Sequence, residues 1–373
     1  MMRLLKTAGL ALGAVLTLGA VAAPAMAEDK HKIFLSMSYI GNDWQAEAAN
    51  MIKAMAEAPA YKDKVDLQVQ VAGPNAQKQI QQINSMVQAG AEAIIVYPIS
   101  PTALNGAVKN ACAKGVMIIA YDSIIDEPCA YNVHIDQSAW GTQSAEWLVK
   151  QMGGKGRVVM ITGVPGTTVD SLRNEGAKKV FAANPGIEVV AEGNGMWSQA
   201  VARTELSKII ATRPWDKIDG VWIQAGCYTV NSMQSEAGIP DNKLLPCAGE
   251  ASNGGRIQIL PTGTEVEGAN GTYRPMGARR WSSGSQNFTG ALALKLAVQK
   301  LEGGDVPKLT DVPMNIVTNE NIKLCKEGTW KEMSEGCNVF QPSIIPNPGW
   351  FASIYSKLTP EVGLQAALVG QPD

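Results

Sequence analysis

Residues 72–123 read AGPNAQKQIQQINSMVQAGAEAIIVYPISPTALNGAVKNACAKGVMIIAYDS. Two apolar runs, AIIVYP (93–98) and GVMIIAYD (115–122), are short, rich in β-branched residues and unbroken by polar alternation. Such runs predict strands covered on both faces, as in a parallel sheet. Asn75 to Ala89, opening after Gly73-Pro74, and Ala103 to Lys114 carry helical spacing. Strand and helix therefore alternate here as βαβ units.

The same grammar extends in both directions. Upstream lie IFLSMSY (33–39), a helix over Asp43 to Glu57, and VDLQVQV (65–71). Downstream, a second series runs through RVVMIT (157–162), IEVVAE (187–192), GVWIQA (220–225) and LLPCAG (244–249), with helices near 141–152, 171–183, 198–212 and 228–237. Asp136 to Gly141 joins the two series. An Ala/Leu-rich helix at 286–302 and the run VPMNIV (312–317) come only after the second series is complete, so the chain is expected to cross back. The predicted fold class is α/β, with two doubly wound parallel-sheet lobes joined by a multi-crossover hinge. Its parts are an N-terminal lobe of 28–135 plus 284–311, a C-terminal lobe of 136–283 plus 312–317, and an extension of 318–373 packed on the C-terminal lobe. Residues 250–285 and 318–373, rich in Gly, Ser and Pro, read as loop-dominated decoration.

At 373 residues and 46% hydrophobic content the chain has ample material for a core in each lobe. Residues 1–27 carry Arg3 and Lys6, an apolar run from Ala8 to Ala23, and Ala25-Met26-Ala27 ahead of Glu28, the pattern of a secretory signal peptide. The apolar run is shorter than the roughly 20 residues of a spanning helix. Export to the periplasm is the expectation. The mature chain then carries 30 basic against 34 acidic residues, since Arg3 and Lys6 leave the total of 32, and no basic face is available for nucleic acid.

Six cysteines occur without a CxxC pair, so neither a zinc ribbon nor a thioredoxin-type site is expected. Export makes disulfides permissible. Six cysteines allow 15 pairings, of which sequence proximity suggests Cys112 with Cys129, Cys227 with Cys247 and Cys325 with Cys337, the last around KEGTWKEMSEG. Only two histidines are present, His31 and His134, and neither is placed to serve a catalytic triad. No GxSxG elbow exists, and Gly153-Gly154-Lys155-Gly156 precedes a strand, where a tight turn rather than a phosphate loop belongs. No catalytic residue, metal or cofactor is expected.

The C-terminal ends of the predicted strands collect aromatic and polar residues: Asn42 and Trp44 after the first, Tyr97 after the third, Asp122 and Ser123 after the fourth, Trp197 and Glu250 in the second half. A sugar ring requires such parts, aromatic faces for its C–H patches and carboxylates or amides for paired hydroxyls. Each residue also has a structural explanation. Trp44 and Trp197 could pack in the core, Asp122 could set a turn, and Glu250 could sit at a helix N-terminus.

The opening stretch, followed by HIDQSAWG (134–141) and GTTVDSLRNEGAKKVFAANPGIEV (166–189), resembles the periplasmic ribose-binding-like (type I) sugar-binding proteins of ABC importers, from about Lys32 to Val317. The resemblance implies a hinge-closing receptor that performs no catalysis and delivers its cargo to a membrane permease. It also implies that Asn42, Trp44, Asp122 and Trp197 contact ligand, that Glu250 stands where the family usually has Asp, and that Asp136 is the hinge carboxylate. The ligand-reaching Arg of the family corresponds to Arg173, or is replaced by Ser171. An Asp-Arg pair of the family reads Asp122-Ser123, and the Asn usual after GVWIQ is Ala225, which implies a sugar or polyol other than ribose. Two other functions fit the same sequence: a receptor presenting ligand to a chemoreceptor or sensor kinase, and an exported carbohydrate-active enzyme using Asp122 and Glu250 as its carboxylate pair.

Overall fold

The computed structural model describes residues 29–373, so the expected signal peptide lies outside the described residues. The first sheet is built from β1 (His31–Met37), α1 (Asp43–Glu57), β2 (Val65–Val71), α2 (Ala76–Gln88), β3 (Ala93–Tyr97), α3 (Asn105–Ala113), β4 (Met117–Tyr121) and β5 (Tyr131–His134). The second follows as α4 (Gln137–Gln151), β6 (Gly156–Thr162), α5 (Thr168–Ala183), β7 (Ile187–Asn194), α6 (Gln199–Thr212), β8 (Gly220–Ile223), α7 (Cys227–Glu236), β9 (Cys247–Gly249), α8 (Asn253–Ile257) and β10 (Arg280–Ser282). The chain then returns through α9 (Thr289–Leu301) and β11 (Leu309–Asp311) to the first sheet, and through β12 (Val317–Thr318) to the second. Last come β13 (Leu324–Cys325), α10 (Trp330–Ser334), β14 (Val339–Phe340) and α11 (Leu364–Val369).

Strand order is β11-β5-β4-β3-β1-β2 in the first sheet and β12-β10-β9-β8-β6-β7 in the second. Every pairing within them is parallel except β12 with β10. The central strands are buried on both faces, and this is why they read as continuous apolar runs. Phe34, Ile94, Val96 and Ile118 face α2 and α3. Their neighbours Ile33, Leu35, Ile95 and Ile119 face α1 and α9. The second sheet repeats the scheme, with Val159, Ile161, Val221 and Ile223 toward α6 and α7. All three expected disulfides are formed.

Three expectations about elements need correction. Residues 250–285 are not decoration, because Arg280-Trp281-Ser282 forms a fully buried strand between β9 and β12. A three-residue strand headed by Arg carries no apolar run to announce it. In the first sheet β5, only four residues of YNVH, was missed for the same reason. The run VPMNIV (312–317) is not a strand: the pairing falls on Leu309–Asp311 before it and on Val317–Thr318 at its end. The residues between span the crossing from one sheet to the other.

Residues 318–373 touch both lobes. Arg256, fully buried in α8, donates to Asn338 O at 2.8 Å and to Ser353 Oγ at 3.1 Å, which ties the segment to the second lobe. Asn50 of α1 donates to Ala367 O at 3.0 Å and ties it to the first.

Candidate functional site

Between the lobes lies a cavity with about 420 Å³ of empty space, part of it open to solvent. Residues from both sheets line it at the carboxyl ends of their strands, where ligands bind in open α/β folds. From the first lobe come Asn42, Trp44, Gln45, Tyr97 and Asp122, and from the second Arg173, Trp197, Gln224 and Glu250. Ser285 of the second crossing and Phe351 of the C-terminal segment complete the wall.

The first-lobe wall is aromatic. Trp44 stacks at 21° on Tyr121 with centroids 6.4 Å apart, and Tyr97 packs against both. The loop after β1 sets Trp44 because Asn42 caps α1, accepting from Gln45 N at 2.9 Å. The indole N–H donates to Ser285 O at 2.8 Å, which leaves the ring face for the cavity. Gln45 keeps a buried Oε1 without a partner. A buried unpaired acceptor costs free energy unless something donates to it.

At the floor, four polar side chains from three parts of the chain interlock. Gln137, at the start of α4, donates from Nε2 to Asp122 Oδ1 at 3.1 Å and to Ser285 Oγ at 3.2 Å. Its Oε1 accepts from Arg173 Nε at 2.8 Å, and Arg173 Nη2 donates to Ser285 Oγ at 3.1 Å. The Arg173 guanidinium also lies 4.2 Å from the centroid of Trp140, a cation–π contact. Burial pushes Arg173 down to about 10, opposed by the Asp122 carboxylate, so it stays charged near neutrality. Burial pushes Asp122 up, and Arg173 together with hydrogen bonds from Ser285 and Gln137 oppose that rise. Asp122 belongs to the first lobe, Arg173 to the second, and Gln137 and Ser285 to the crossings. The network therefore spans the hinge.

The second-lobe wall is Trp197, whose indole donates to Gln224 Oε1 at 2.8 Å. Gln224 is held in turn by donation to Asp170 Oδ1 at 2.9 Å and to Asn174 Oδ1 at 2.8 Å. Gly163 makes the room, since a Cβ there would lie 2.1 Å from Trp197 Nε1. Among the described residues, the non-glycine positions with positive φ are Asp122 (62°), Met196 (54°) and Trp197 (51°). Two of the three line the cavity. Left-handed backbone at non-glycine residues costs about 1–3 kcal/mol and persists where the surroundings enforce it, typically at functional sites.

Glu250 has both oxygens in use. Oε2 accepts from Gly226 N at 2.8 Å and Cys227 N at 3.3 Å, at the start of α7, and Oε1 accepts from Ser252 Oγ at 2.6 Å and Gln199 Nε2 at 3.2 Å. The side chain borders the cavity while serving the helix terminus. Ser123 turns away into a separate small pocket with His134 and Leu172. Of the two alternatives on α5, Arg173 faces the cavity and Ser171 faces solvent. Asp136 is exposed and caps α4, accepting from Ala139 N at 2.8 Å.

Gln45, Gln137, Gln224, Ser285 and Phe351 escaped the sequence analysis. Gln137 and Gln224 stand inside quoted motifs, HIDQSAWG and GVWIQA, and polarity at the end of an apolar run was the available signal for Gln224. Phe351 had none.

Among known proteins, the model for the "Periplasmic binding protein domain" family matches residues 33–333. The xylitol-binding protein of Mycolicibacterium smegmatis is 29% identical over 182 residues, which cover 48% of this chain and 52% of the relative. The D-xylose-binding periplasmic protein of Escherichia coli is 25% identical over 298 residues, covering 71% of this chain and 81% of the relative. A solved ABC transporter solute binding protein from Thermobispora bispora superposes with a TM-score of 0.69 at 26% identity, covering 88% of this chain and 92% of that one. The match thus spans about half the length of the first curated relative. No described helix is long and apolar enough to cross a membrane.

Proposed function

Since the chain belongs to the periplasmic binding protein domain family, with residues 33–333 matched, we propose that it is a receptor that captures a small sugar or polyol between its two lobes. It releases the cargo chemically unchanged to an ABC importer permease from the periplasm. The observation that carries this reading is the Asp122–Gln137–Arg173–Ser285 network lying across the hinge beneath aromatic walls from both lobes.

Trp44 and Trp197 offer apolar faces for ring C–H groups, and Asp122, Arg173, Asn42 and Tyr97 offer hydrogen bonds to hydroxyls. A ligand touching both lobes favours the closed state by the difference of its affinities for closed and open forms. Lobes of 28–135 plus 284–311 and 136–283 plus 312–317 move as the two bodies. The relatives named for xylitol and D-xylose support this ligand class. The carbohydrate-active enzyme is disfavoured because both Glu250 oxygens are held by protein donors, leaving no free acid–base partner for Asp122.

The test is a thermal-shift screen against pentoses, hexoses, polyols and sugar acids, with product analysis of the incubated samples. A ligand at 100 times its Kd stabilises the native state by about 2.7 kcal/mol. A rise of the melting point with an unaltered neutral sugar or polyol is expected. No shift across the panel, or a product, would overturn the proposal.

A further inference from the structure

We propose that Phe351 sets the size of the ligand by dividing the binding cleft into an inner chamber and an outer one. The inference rests on the sugar-capture reading, yet concerns a residue beyond position 333, where the match to the family ends. A second cavity of about 620 Å³ adjoins the first, lined on its far side by Asp43, Ser198 and Gln199. Phe351 borders both cavities, together with Asn42, Trp197, Ala225 and Glu250. The partition thus consists of two rings, Trp197 of the second lobe and Phe351 of the C-terminal segment, with Asn42, Glu250 and the small Ala225 between them.

The ring is held in place from both sides of the cleft. On the first lobe, Phe351 N donates to Glu47 Oε1 at 2.8 Å and Asn347 Nδ2 donates to Asp43 Oδ1 at 3.2 Å. On the second, Gly254 N donates to Pro348 O at 2.8 Å and Ala352 N to Ala251 O at 3.0 Å, beside a bridge between Ser252 and Phe351. The ring packs beside Gly284 of the crossing chain, where a Cβ would stand 3.4 Å from Phe351 Cε1, at ordinary contact distance. In this arrangement of the lobes the ring is fastened to both, and an apolar wall so held excludes what does not fit. On this proposal a single ring or a five- to six-carbon polyol occupies the inner chamber with a C–H face toward Phe351. A second sugar unit linked at that end meets the ring. Removing the ring joins the chambers and admits a disaccharide.

The experiment measures Kd by calorimetry for D-xylose, xylitol and xylobiose on wild type, Phe351→Ala and Phe351→Tyr. Wild type is expected to bind one of the monomers and to reject xylobiose. Phe351→Ala should lose at least tenfold in monomer affinity and gain measurable xylobiose binding, and Phe351→Tyr should stay within threefold of wild type. Monomer affinity within twofold of wild type in Phe351→Ala, with xylobiose still rejected, overturns the proposal. A second arm needs no ligand. Every cysteine among the described residues is disulfide-bonded, so Phe351→Cys introduces a lone thiol, with Val369→Cys on the exposed face of α11 as reference. Iodoacetamide should reach the thiol at 351 while a polyethylene-glycol maleimide reacts at least tenfold more slowly than at 369. Equal reaction with both reagents, or reaction with neither, places position 351 outside a chamber wall and overturns the proposal. If wild type binds none of the three sugars, the thiol arm alone decides the position of Phe351, and the sugar reading is decided by the full thermal-shift panel.

Discussion

Gly163→Ala tests how the second-lobe wall is built without touching any group that could hydrogen-bond a ligand. Gly163 follows β6, and an added Cβ would stand 2.1 Å from Trp197 Nε1, 2.3 Å from Trp197 Cε2 and 2.8 Å from Gln224 Oε1. Ordinary contact begins near 3.4 Å, so the indole must retreat by about 1.3 Å, the difference of 3.4 and 2.1. Gln224 cannot follow, because its amide is fixed to Asp170 and Asn174. The 2.8 Å bond from the indole to Gln224 is therefore broken, and a buried acceptor is left unpaired. That costs about 1–3 kcal/mol of stability. Displacing the aromatic face removes a further ~0.5–1.5 kcal/mol of ring contact beyond area, and a loss of about 1.4 kcal/mol is tenfold in Kd. Urea unfolding of the unliganded protein checks the first figure, and calorimetry with the tightest sugar or polyol of the panel checks the second. The unliganded protein should lose stability while keeping its far-UV spectrum, and affinity should fall about two- to twelvefold. Unchanged stability together with affinity within twofold of wild type would refute the account, since Trp197 would then move freely.

Two further perturbations probe the floor and the strap. Asp122→Asn keeps a residue tolerant of the 62° φ and the acceptor for Gln137, but removes the charge facing Arg173; affinity is expected to drop about 10- to 100-fold, on the scale of a charge-assisted bond, and calorimetric affinity equal to wild type would show that ligand does not touch Asp122. Glu47 is buried and its carboxyl is held well above the usual range by burial, with Asp43 adding to the rise and the Phe351 N–H opposing it. A group whose pKa is raised on folding contributes stability below its unfolded value and loses it as pH climbs through the folded one. Melting temperature should therefore decline from about pH 4.5 upward more steeply in wild type than in Glu47→Gln, and parallel curves for the two proteins would contradict this.

The fold was legible wherever burial on both faces demanded uninterrupted apolar runs. AIIVY and MIIAY could hardly be anything else, and the helices between them followed from spacing. What stayed hidden were short strands whose place is fixed by their neighbours: Arg280-Trp281-Ser282 is buried by β9 and β12, not by its own apolarity. At the site, residues at strand ends were readable because topology sends them to one cleft. Trp44, Tyr97, Asp122 and Trp197 all reach the cavity, while Ser171 fails because its helical phase points outward. The glutamines were passed over for a different reason. Gln137 and Gln224 act by bracing Asp122, Arg173 and Trp197, and bracing leaves no spacing signature. Phe351 is set by tertiary contact alone.

The order in which strands enter the two sheets governs how the chain reaches its final form. β11 pairs with β5 as the last strand of the first sheet, and β12 pairs with β10 as the last of the second, yet both arrive only at residues 309–318. As synthesis proceeds, each half waits with an open row of backbone donors and acceptors until the same late stretch emerges. Unpaired edges of this kind invite association with other chains. Neither sheet has its full set of strands before residue 309, and a truncation there is expected to leave two sticky partial sheets rather than one finished half.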